Sequence, residues 1–491
     1  MRLLDLVENV EYKCLQGNAD IEVNELVYDS RKVTKGDVFV CISGAVRDAH
    51  DFVPDVIEKG AAAVIVEKDM EAPEGVCILK VDNSRLALSQ MSAAFFGYPA
   101  KELKTIGITG TKGKTTTTYL VKAMLEKAGI KTGLVGTIET IIGDKATPAL
   151  NTTPESYVLQ KTFREMVDAG LECVVMEVSS QGLMLHRVGG FTFDYGIFTN
   201  LEPDHIGPNE HKDMDDYISC KAMLFKQCKH GIFNIDSEYC KQVMEGHTCE
   251  VETFGYSKEA DLQAENVELF QKPQILGVSY DINVKKDGEV VDKQHIVVDI
   301  PGDFSVYNSL CAVAICRHFG VSFDVIREAA VSTTVKGRVE LIPVSPKYTL
   351  MIDYAHNAMA LESLLTTLRA YNPKRLVCLF GCGGNRSKLR RFEMGEISSK
   401  LADLTVVTSD NPRDEEPQAI MDDIVTGVKK ADGAYVTIEN RKEAIKYCMD
   451  NAKEGDVIVL AGKGHEDYQE IKGKKYKMDE RDLIREILQG I

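Results

Sequence analysis

The stretch GITGTKGKTT at 107–116 combines the residue types that hold a phosphate. Gly110 and Gly113 permit tight turns and let backbone N–H groups approach phosphate oxygens. Lys114 offers a positive charge for the β- and γ-phosphates, and the Thr115 hydroxyl can ligate Mg²⁺. Thr111, Lys112 and Thr116 complete the loop. The general GxxxxGK[ST] pattern fails, because Ile108 stands where its first glycine belongs. A metal beside phosphates needs further hard ligands. Glu177 ends an apolar run of strand length, and His205 follows the next such run. Together with Thr115 they could share one cation. Each also has a plain alternative: a strand-end Glu often caps a helix, and a loop His is usually solvated.

These residues need strands and helices to position them. Residues 105–109 read as a strand and Thr115 onward as a helix. ECVVMEV (172–178) and DYGIFTN (194–200) read as buried parallel strands. DVFVCI (37–42), AAVIVE (62–67) and VCILKV (76–81) suggest a small α/β unit over residues 1–101, with a boundary near Lys101. Residues 250–300 alternate apolar and polar around a KKDGE turn, which predicts an antiparallel patch in a central domain over 102–335. From 336 to 491, YTLMID, RLVCLFG, LTVVTS, YVTIE and DVIVLAG are short apolar strands with helical segments between most of them. That is a doubly wound α/β pattern, which binds ligands outside the carboxyl ends of its strands. The polar groups DYAHN, GCGGNR, SDNPR and AGKGHE each end a strand.

The 491 residues predict about three domains. A net charge of −17 disfavours nucleic acid as a partner, although a local basic pocket can still take a small anion. No apolar run reaches the ~20 residues that a bilayer span needs. The N-terminus lacks the pattern of a signal peptide. Thirteen cysteines include no CxxC, so reduced buried thiols are expected. The expected location is the cytoplasm.

GTKGKTT, NTTP (151–154), EVSSQGL (177–183), TNLEPDH (199–205), KGRVE (336–340), DYAHN (353–357), FGCGGNR (380–386), SDNPR (409–413) and AGKGHEDYQ (461–469) occur in the order seen in Mur ligases. The chain resembles that family over essentially its whole length. GTKGKTT marks the superfamily, folylpolyglutamate synthases included. DNPR with GKGHEDYQ is more specific, and resembles the branch that extends UDP-N-acetylmuramoyl-L-alanyl-D-glutamate by one amino acid. The resemblance implies a three-domain α/β fold: a UDP-sugar-binding unit, an ATPase and a Rossmann-like unit that receives the amino acid. It also implies an ATP- and Mg²⁺-dependent ligase that works through an acyl phosphate. The chain is expected to act as a monomer.

Several roles follow only from the resemblance. Lys114 and Thr115 hold phosphates and metal, and Glu177 and His205 match further magnesium positions. Lys221 matches a lysine that such enzymes carbamylate, although a lysine on an exposed helix is the reading without the resemblance. Asn308, Arg338 and Asp353 match nucleotide contacts. Asn151, Thr152, Thr153, Ser179 and Arg187 match the grip on the muramoyl dipeptide, and Ser30 matches a uridine-side contact. Arg386, Asp410, Asn411, Pro412, Arg413, Gly462 and Glu466 surround the incoming amino acid.

Meso-diaminopimelate differs from lysine by one carboxylate and a stereocentre, and a planar Arg suits that carboxylate. Arg413 is therefore the residue that names diaminopimelate, and Glu466 suits its distal ammonium. Some positions depart from the family's pattern. DHIGPNEHKDM replaces DHLDYHG and displaces His211, DYAHN lacks a helix-starting Pro, and Leu185 stands where a polar substrate contact is common. A related ligase acting on another acid, such as a folate, or adding lysine, is the alternative. A folate-directed relative would not need the 1–101 unit with its DSR motif. A partner subunit of an amidotransferase would carry a four-cysteine zinc ribbon, for which the sequence has no CxxC.

Overall fold

The runs DVFVCI, AAVIVE and VCILKV form adjacent parallel strands in the computed structural model, which describes residues 1–44, 47–71, 73–204, 206, 207, 210–272 and 274–490. They belong to a five-stranded sheet of β1 (Lys13–Gln16), β2 (Leu26–Val27), β3 (Val38–Val40), β4 (Ala63–Val66) and β5 (Cys77–Lys80), ordered β1-β5-β4-β3-β2. Strands β3 and β4 are buried on both faces, which is why they read as unbroken apolar runs rather than alternating ones. Asn83 caps the helix Ser84–Phe95 by accepting from Leu86 N. The alanines and leucines of this helix cover the sheet.

The next strand begins at Lys104. A second sheet holds β6 (Lys104–Thr109), β7 (Thr132–Val135), β8 (Glu139–Ile142), β9 (Lys145–Pro148), β10 (Cys173–Glu177), β11 (Phe193–Phe198), β12 (Cys228–Asn234) and β13 (Glu250–Gly255). Its order runs β13-β12-β11-β6-β10-β7-β8-β9, parallel except for the hairpin arms β8 and β9. Strand β6 lies centrally between β10 and β11, so the loops that follow these three strands emerge side by side. Both sheets belong to one compact unit, residues 1–260 with 314–321. In it Arg317 and His318, from the end of the helix Phe304–His318, both reach Glu252 at 2.7 Å.

The other compact unit holds residues 261–313 and 322–491. It opens with an antiparallel meander, β14 (Leu262–Lys272), β15 (Ile275–Lys286) and β16 (Glu289–Val298). The turn between β15 and β16 sets Asp287 at φ 52° and Gly288 at φ 82°, the left-handed pair that a two-residue hairpin demands. A six-stranded sheet follows: β17 (Glu340–Ile342), β18 (Thr349–Asp353), β19 (Arg375–Phe380), β20 (Leu404–Val407), β21 (Tyr435–Thr437) and β22 (Asp456–Ala461). Its order is β17-β18-β22-β19-β20-β21, with only β17 antiparallel. Strand β22 returns between β18 and β19, so the loops after β18, β22, β19 and β20 stand in a row at one sheet edge. A small hairpin, β23 (Tyr468–Ile471) and β24 (Lys474–Lys477), follows β22. Where DYAHN lacks a helix-starting Pro, Asn357 caps the helix Ala358–Arg369 through Ala360 N. Every cysteine but Cys14 is buried, all are free, and no helix among the described residues is long and apolar enough to cross a membrane.

Candidate active site

The loop after β6 is held from both sides. Asn200, just past β11, accepts from Lys112 N through its side-chain oxygen and from Thr111 N through its carbonyl, both at 2.9 Å. Its amide and the Thr199 hydroxyl donate back to Lys112 O at 3.1 and 2.7 Å. Gly110, at φ 150°, passes so close that a Cβ there would lie 1.9 Å from Thr199 Oγ1. Lys114 Nζ, at the start of the helix Lys114–Lys127, donates to Gly110 O at 2.8 Å and Thr111 O at 3.0 Å. Thr116 is buried in the first turn of that helix. The phosphate-holding shape is thus built by two neighbouring strand ends, and Asn200 and Thr199 are partners that the sequence reading passed over inside TNLEPDH.

Thr115 and Glu177 come together. Thr115 Oγ1 donates to Glu177 Oε1 at 3.0 Å, and Thr137 gives the same carboxylate its N–H at 2.8 Å and its hydroxyl at 3.0 Å. Glu177 is 1% exposed and serves no helix cap. Gly136 makes room for it, since a Cβ there would sit 2.6 Å from Oε1. A hydroxyl beside a buried carboxylate is a hard-oxygen pair that suits Mg²⁺. His205, the third expected ligand, lies outside the described residues.

Lys221 is not on an exposed face. It is 1% exposed on the helix Met214–Ala222, and its Nζ donates to Gly110 O at 2.9 Å, the carbonyl that Lys114 also uses. Burial first, and the neighbouring Lys114 charge second, hold its ammonium well below the ordinary lysine range. The Tyr217 ring lies 4.6 Å from Nζ, and its hydroxyl pairs with Thr111 Oγ1 at 3.1 Å. Tyr217 was missed in the sequence, yet stands one helical turn before Lys221 on the same face.

The positions matched to the dipeptide grip gather at the same carboxylate. Thr152 Oγ1 meets Thr137 Oγ1 at 3.0 Å. Thr153, fully buried, donates to Glu177 O at 3.0 Å, accepts from Ser179 N and contacts Ser179 Oγ at 3.2 Å. Ser179 caps the helix Ser180–Met184. Arg187 donates to Thr153 O at 3.0 Å and pairs with Glu155, while its buried Nε has no hydrogen-bond partner among the described residues. Asn151 is exposed beside them. Ser30 stands apart on the N-terminal sheet, past β2, where its carbonyl accepts from Lys59.

In the second unit, Asp353 ends β18 fully buried and accepts from Val339 N and Ala355 N, each at 2.8 Å. Burial raises its carboxyl above the usual range. The guanidinium of Arg338 lies over the Tyr354 ring at 4.9 Å, and His465 packs at 4.7 Å from the same ring. Burial, with Arg338, Lys336 and Arg481 nearby, pushes the His465 imidazole down to about 4. Asn308 is buried in the helix Phe304–His318.

The DNPR and GKGHE loops meet at the sheet edge. Asn411 donates to Glu466 Oε2 at 3.0 Å, and fully buried Lys463 reaches that oxygen at 2.8 Å and Asn411 Oδ1 at 3.1 Å. Glu470 N and the Gln469 amide bind Asn411 Oδ1 and Asp410 O, so the β23 strand is tied to Asp410–Asn411. Gly462 sits where a Cβ would meet Asp410 Oδ2 at 3.1 Å. Arg413, beyond Pro412, takes φ 51°, donates through Nη1 to Gly384 O at 2.8 Å and pairs through Nε with Glu470 at 3.1 Å. Arg386 is exposed on the loop after β19. Behind the loops, buried Arg441 is paired with buried Glu480 and donates to Ser409 O at 3.3 Å and Ala461 O at 3.0 Å, the carbonyls just before Asp410 and Gly462. Lys463, Glu470 and Arg441 escaped the sequence reading. Only Lys463 had a local signal, its place inside GKGHE.

The arrangement offers a glycine-rich loop beside a buried hard-oxygen pair and, in the second unit, an Arg and a Glu each fixed by hydrogen bonds in loops at one sheet edge. Comparison with known proteins matches residues 22–96 to the Mur ligase family catalytic domain, 108–316 to the Mur ligase middle domain and 337–464 to the Mur ligase glutamate ligase domain. The UDP-N-acetylmuramoyl-L-alanyl-D-glutamate–2,6-diaminopimelate ligase of Clostridium perfringens is 42% identical over 497 residues, covering 100% of both chains. That of Caldanaerobacter subterraneus is 40% identical over 489 residues, covering 99% of both. A solved structure of a ligase of that name is 24% identical with a TM-score of 0.74, over 100% of this chain and 99% of the other. MurF ligase from Thermotoga maritima in complex with ADP gives 17% and 0.59, over 96% and 98%. These structures show a shared fold.

Proposed function

Since the chain belongs to the Mur ligase family, we propose that it is the ATP-dependent ligase that joins meso-2,6-diaminopimelate to the D-glutamate γ-carboxylate of UDP-N-acetylmuramoyl-L-alanyl-D-glutamate. The reaction is a step of peptidoglycan precursor synthesis in the cytoplasm. The observation that supports the choice of amino acid is that Arg413 is held by Gly384 O and Glu470 while Glu466 is held by Asn411 and Lys463, in loops that meet at one sheet edge. A cation and an anion that are each fixed by hydrogen bonds fit a ligand that ends in a carboxylate and an ammonium.

A carboxylate is a poor electrophile, so its oxygen first attacks the γ-phosphorus of ATP and ADP leaves. The amine then attacks the acyl carbon of the acyl phosphate, loses a proton, and inorganic phosphate departs. The backbone of residues 110–116 and Lys114 hold the phosphates in line. Thr115, Glu177, His205 and Lys221 as its carbamate would hold Mg²⁺, which would supply neutralisation of charge on the phosphoryl oxygens. CO₂ adds only to a neutral amine, and the buried, depressed Lys221 supplies one. Thr152, Thr153, Ser179 and Arg187 hold the acceptor peptide, with Thr153 bonded directly to the Glu177 backbone, so acceptor grip and metal carboxylate share one scaffold. Asn308, Arg338 and Asp353 serve the nucleotide, and Ser30 the uridine side.

The test is phosphate release with UDP-N-acetylmuramoyl-L-alanyl-D-glutamate, ATP and Mg²⁺, comparing diaminopimelate, lysine and no amino acid. Release that depends on diaminopimelate and is at least tenfold slower with lysine is expected. Equal release in all three overturns the assignment.

A further inference from the structure

Among the described residues, one group gathers nitrogen, oxygen and sulfur donors at a single point: His211, Asp216 and Cys220, whose ligand atoms lie within 4.8 Å of one another. Asp216 and Cys220 stand four residues apart on the helix Met214–Ala222, hence on one face. His211 comes from the loop before it and turns Nδ1 toward them, 3.0 Å from Asp216 Oδ2. His211 is fully buried and Cys220 is 6% exposed, while Asp216 keeps 29% of its side chain open and provides the way in from solvent. The second ring nitrogen is also fixed: Nε2 lies 2.7 Å from Ser180 Oγ, itself buried. A histidine that holds a metal through one nitrogen normally anchors the other by such a bond, which sets its tautomer and orientation.

We propose that His211 Nδ1, Asp216 and Cys220 Sγ form a Zn²⁺-class cation site, with a fourth position open to water. Imidazole, thiolate and carboxylate together select a borderline-soft, tetrahedral ion, whereas Mg²⁺ demands oxygens. Zinc bonds of ~2.0–2.3 Å give ligand-to-ligand edges of about 3.3–3.8 Å, so the widest-spaced donors have to close by about 1 Å while His211 Nδ1 and Asp216 Oδ2, at 3.0 Å, open slightly. A rotation of Cys220 about its Cα–Cβ bond supplies such a movement. The site is separate from the phosphate loop. Cys220 and Lys221 are neighbours in sequence, but consecutive helical side chains diverge by about 100°. Lys221 points at Gly110 O while Cys220 faces His211. A cation here ties the loop that carries His211 to the helix that carries Lys221, and requires neither ATP nor acceptor.

The experiment uses the full chain, reduced, stripped with chelator and kept in excess Mg²⁺ so that oxygen sites are filled. Co²⁺ is titrated as the spectroscopic probe, followed by Zn²⁺. One equivalent of Co²⁺ should give the ultraviolet thiolate-to-metal charge-transfer band and the intense visible bands of tetrahedral coordination, both removed by one equivalent of Zn²⁺. Cys220→Ser should abolish the charge-transfer band, and Asp216→Asn should weaken Co²⁺ binding at least tenfold. Cys14→Ser, at the exposed cysteine, should leave both unchanged. Weak octahedral bands without a thiolate band, or a thiolate band that survives Cys220→Ser, would overturn the proposal.

Discussion

Arg413→Ala should raise KM for diaminopimelate about 30-fold and leave KM for ATP within about twofold. The size follows from what the guanidinium already does. Its Nε is committed to Glu470 at 3.1 Å and Nη1 to Gly384 O at 2.8 Å, which fixes the plane of the fork. A ligand carboxylate therefore meets a positioned donor rather than a mobile chain, and a charge-assisted hydrogen bond of this kind is worth about 1.5–3 kcal/mol. The side chain is 23% exposed, so screening favours the middle of that range, about 2 kcal/mol, or roughly 30-fold. Alanine brings no new backbone strain, because Arg413 already occupies the left-handed region. The assay is steady-state phosphate release with diaminopimelate varied at saturating ATP and UDP-N-acetylmuramoyl-L-alanyl-D-glutamate, repeated with lysine. Arg413→Lys should recover only part of the loss, since an ammonium keeps the charge but not the fork. Unchanged diaminopimelate kinetics, or an equal loss with lysine, would refute the reasoning.

Lys221→Ala should cut phosphate release by ~100-fold or more, as expected for loss of a group that holds or orients a metal, and a short carboxylic acid added to the assay should restore part of it. A folded variant that no carboxylic acid rescues would remove the carbamate from the scheme. Arg441→Met leaves Glu480 buried without its partner and should cost about 3–5 kcal/mol in denaturant unfolding. Adding Glu480→Leu should regain stability while KM for diaminopimelate stays raised, because Ser409 O and Ala461 O remain unheld; recovery of both together would make Arg441 purely structural. His465 titrates near 6.5 when unfolded and about 4 when folded, so the unfolded state binds the extra proton between those values and stability falls as pH drops through that window. Wild type should lose about 1.6 kcal/mol relative to His465→Gln between pH 6.5 and 5, read by circular dichroism in urea, and parallel pH slopes would contradict the depressed imidazole.

What could be read from the sequence was what the chain encodes locally. Gly110, Gly113, Lys114 and Thr115 lie within six positions and announce a strand, a tight turn and a helix in a row. The strand ends carrying DYAHN, SDNPR and GKGHE were legible because unbroken apolar runs mark buried parallel strands, whose carboxyl ends are where polar motifs collect. Glu177 could be placed at a strand end, but not beside Thr137, whose two donors hold it. Lys221 looked like a residue on an exposed helix, since YISCKAMLF has no clean amphipathic period. Its burial depends on Gly110 O and Tyr217, which only the folded sheet brings near.

Three of the residues that stayed hidden share one physical property. Lys463, Arg441 and Glu480 are charges buried at 0–3% exposure, and each is tolerable only because it is paired, with at least one partner from a distant part of the chain, Asn411 in the case of Lys463. Arg441 takes Ser409 O from 32 positions away, Ala461 O from 20 and Glu480 from 39. Such a residue costs stability unless several strand ends are already in register, and for that reason it couples their positions. The phosphate loop needs no device of this kind, because one turn and one helix set its shape. On the proposed function the amino acid meets the loops after β19, β20 and β22 and the hairpin β23–β24, and a guanidinium–carboxylate pair such as Arg413 and Glu466 discriminates between two ligands only if those loops hold still. Buried charges behind these loops are thus the expected companions of a site proposed to tell diaminopimelate from lysine by one carboxylate.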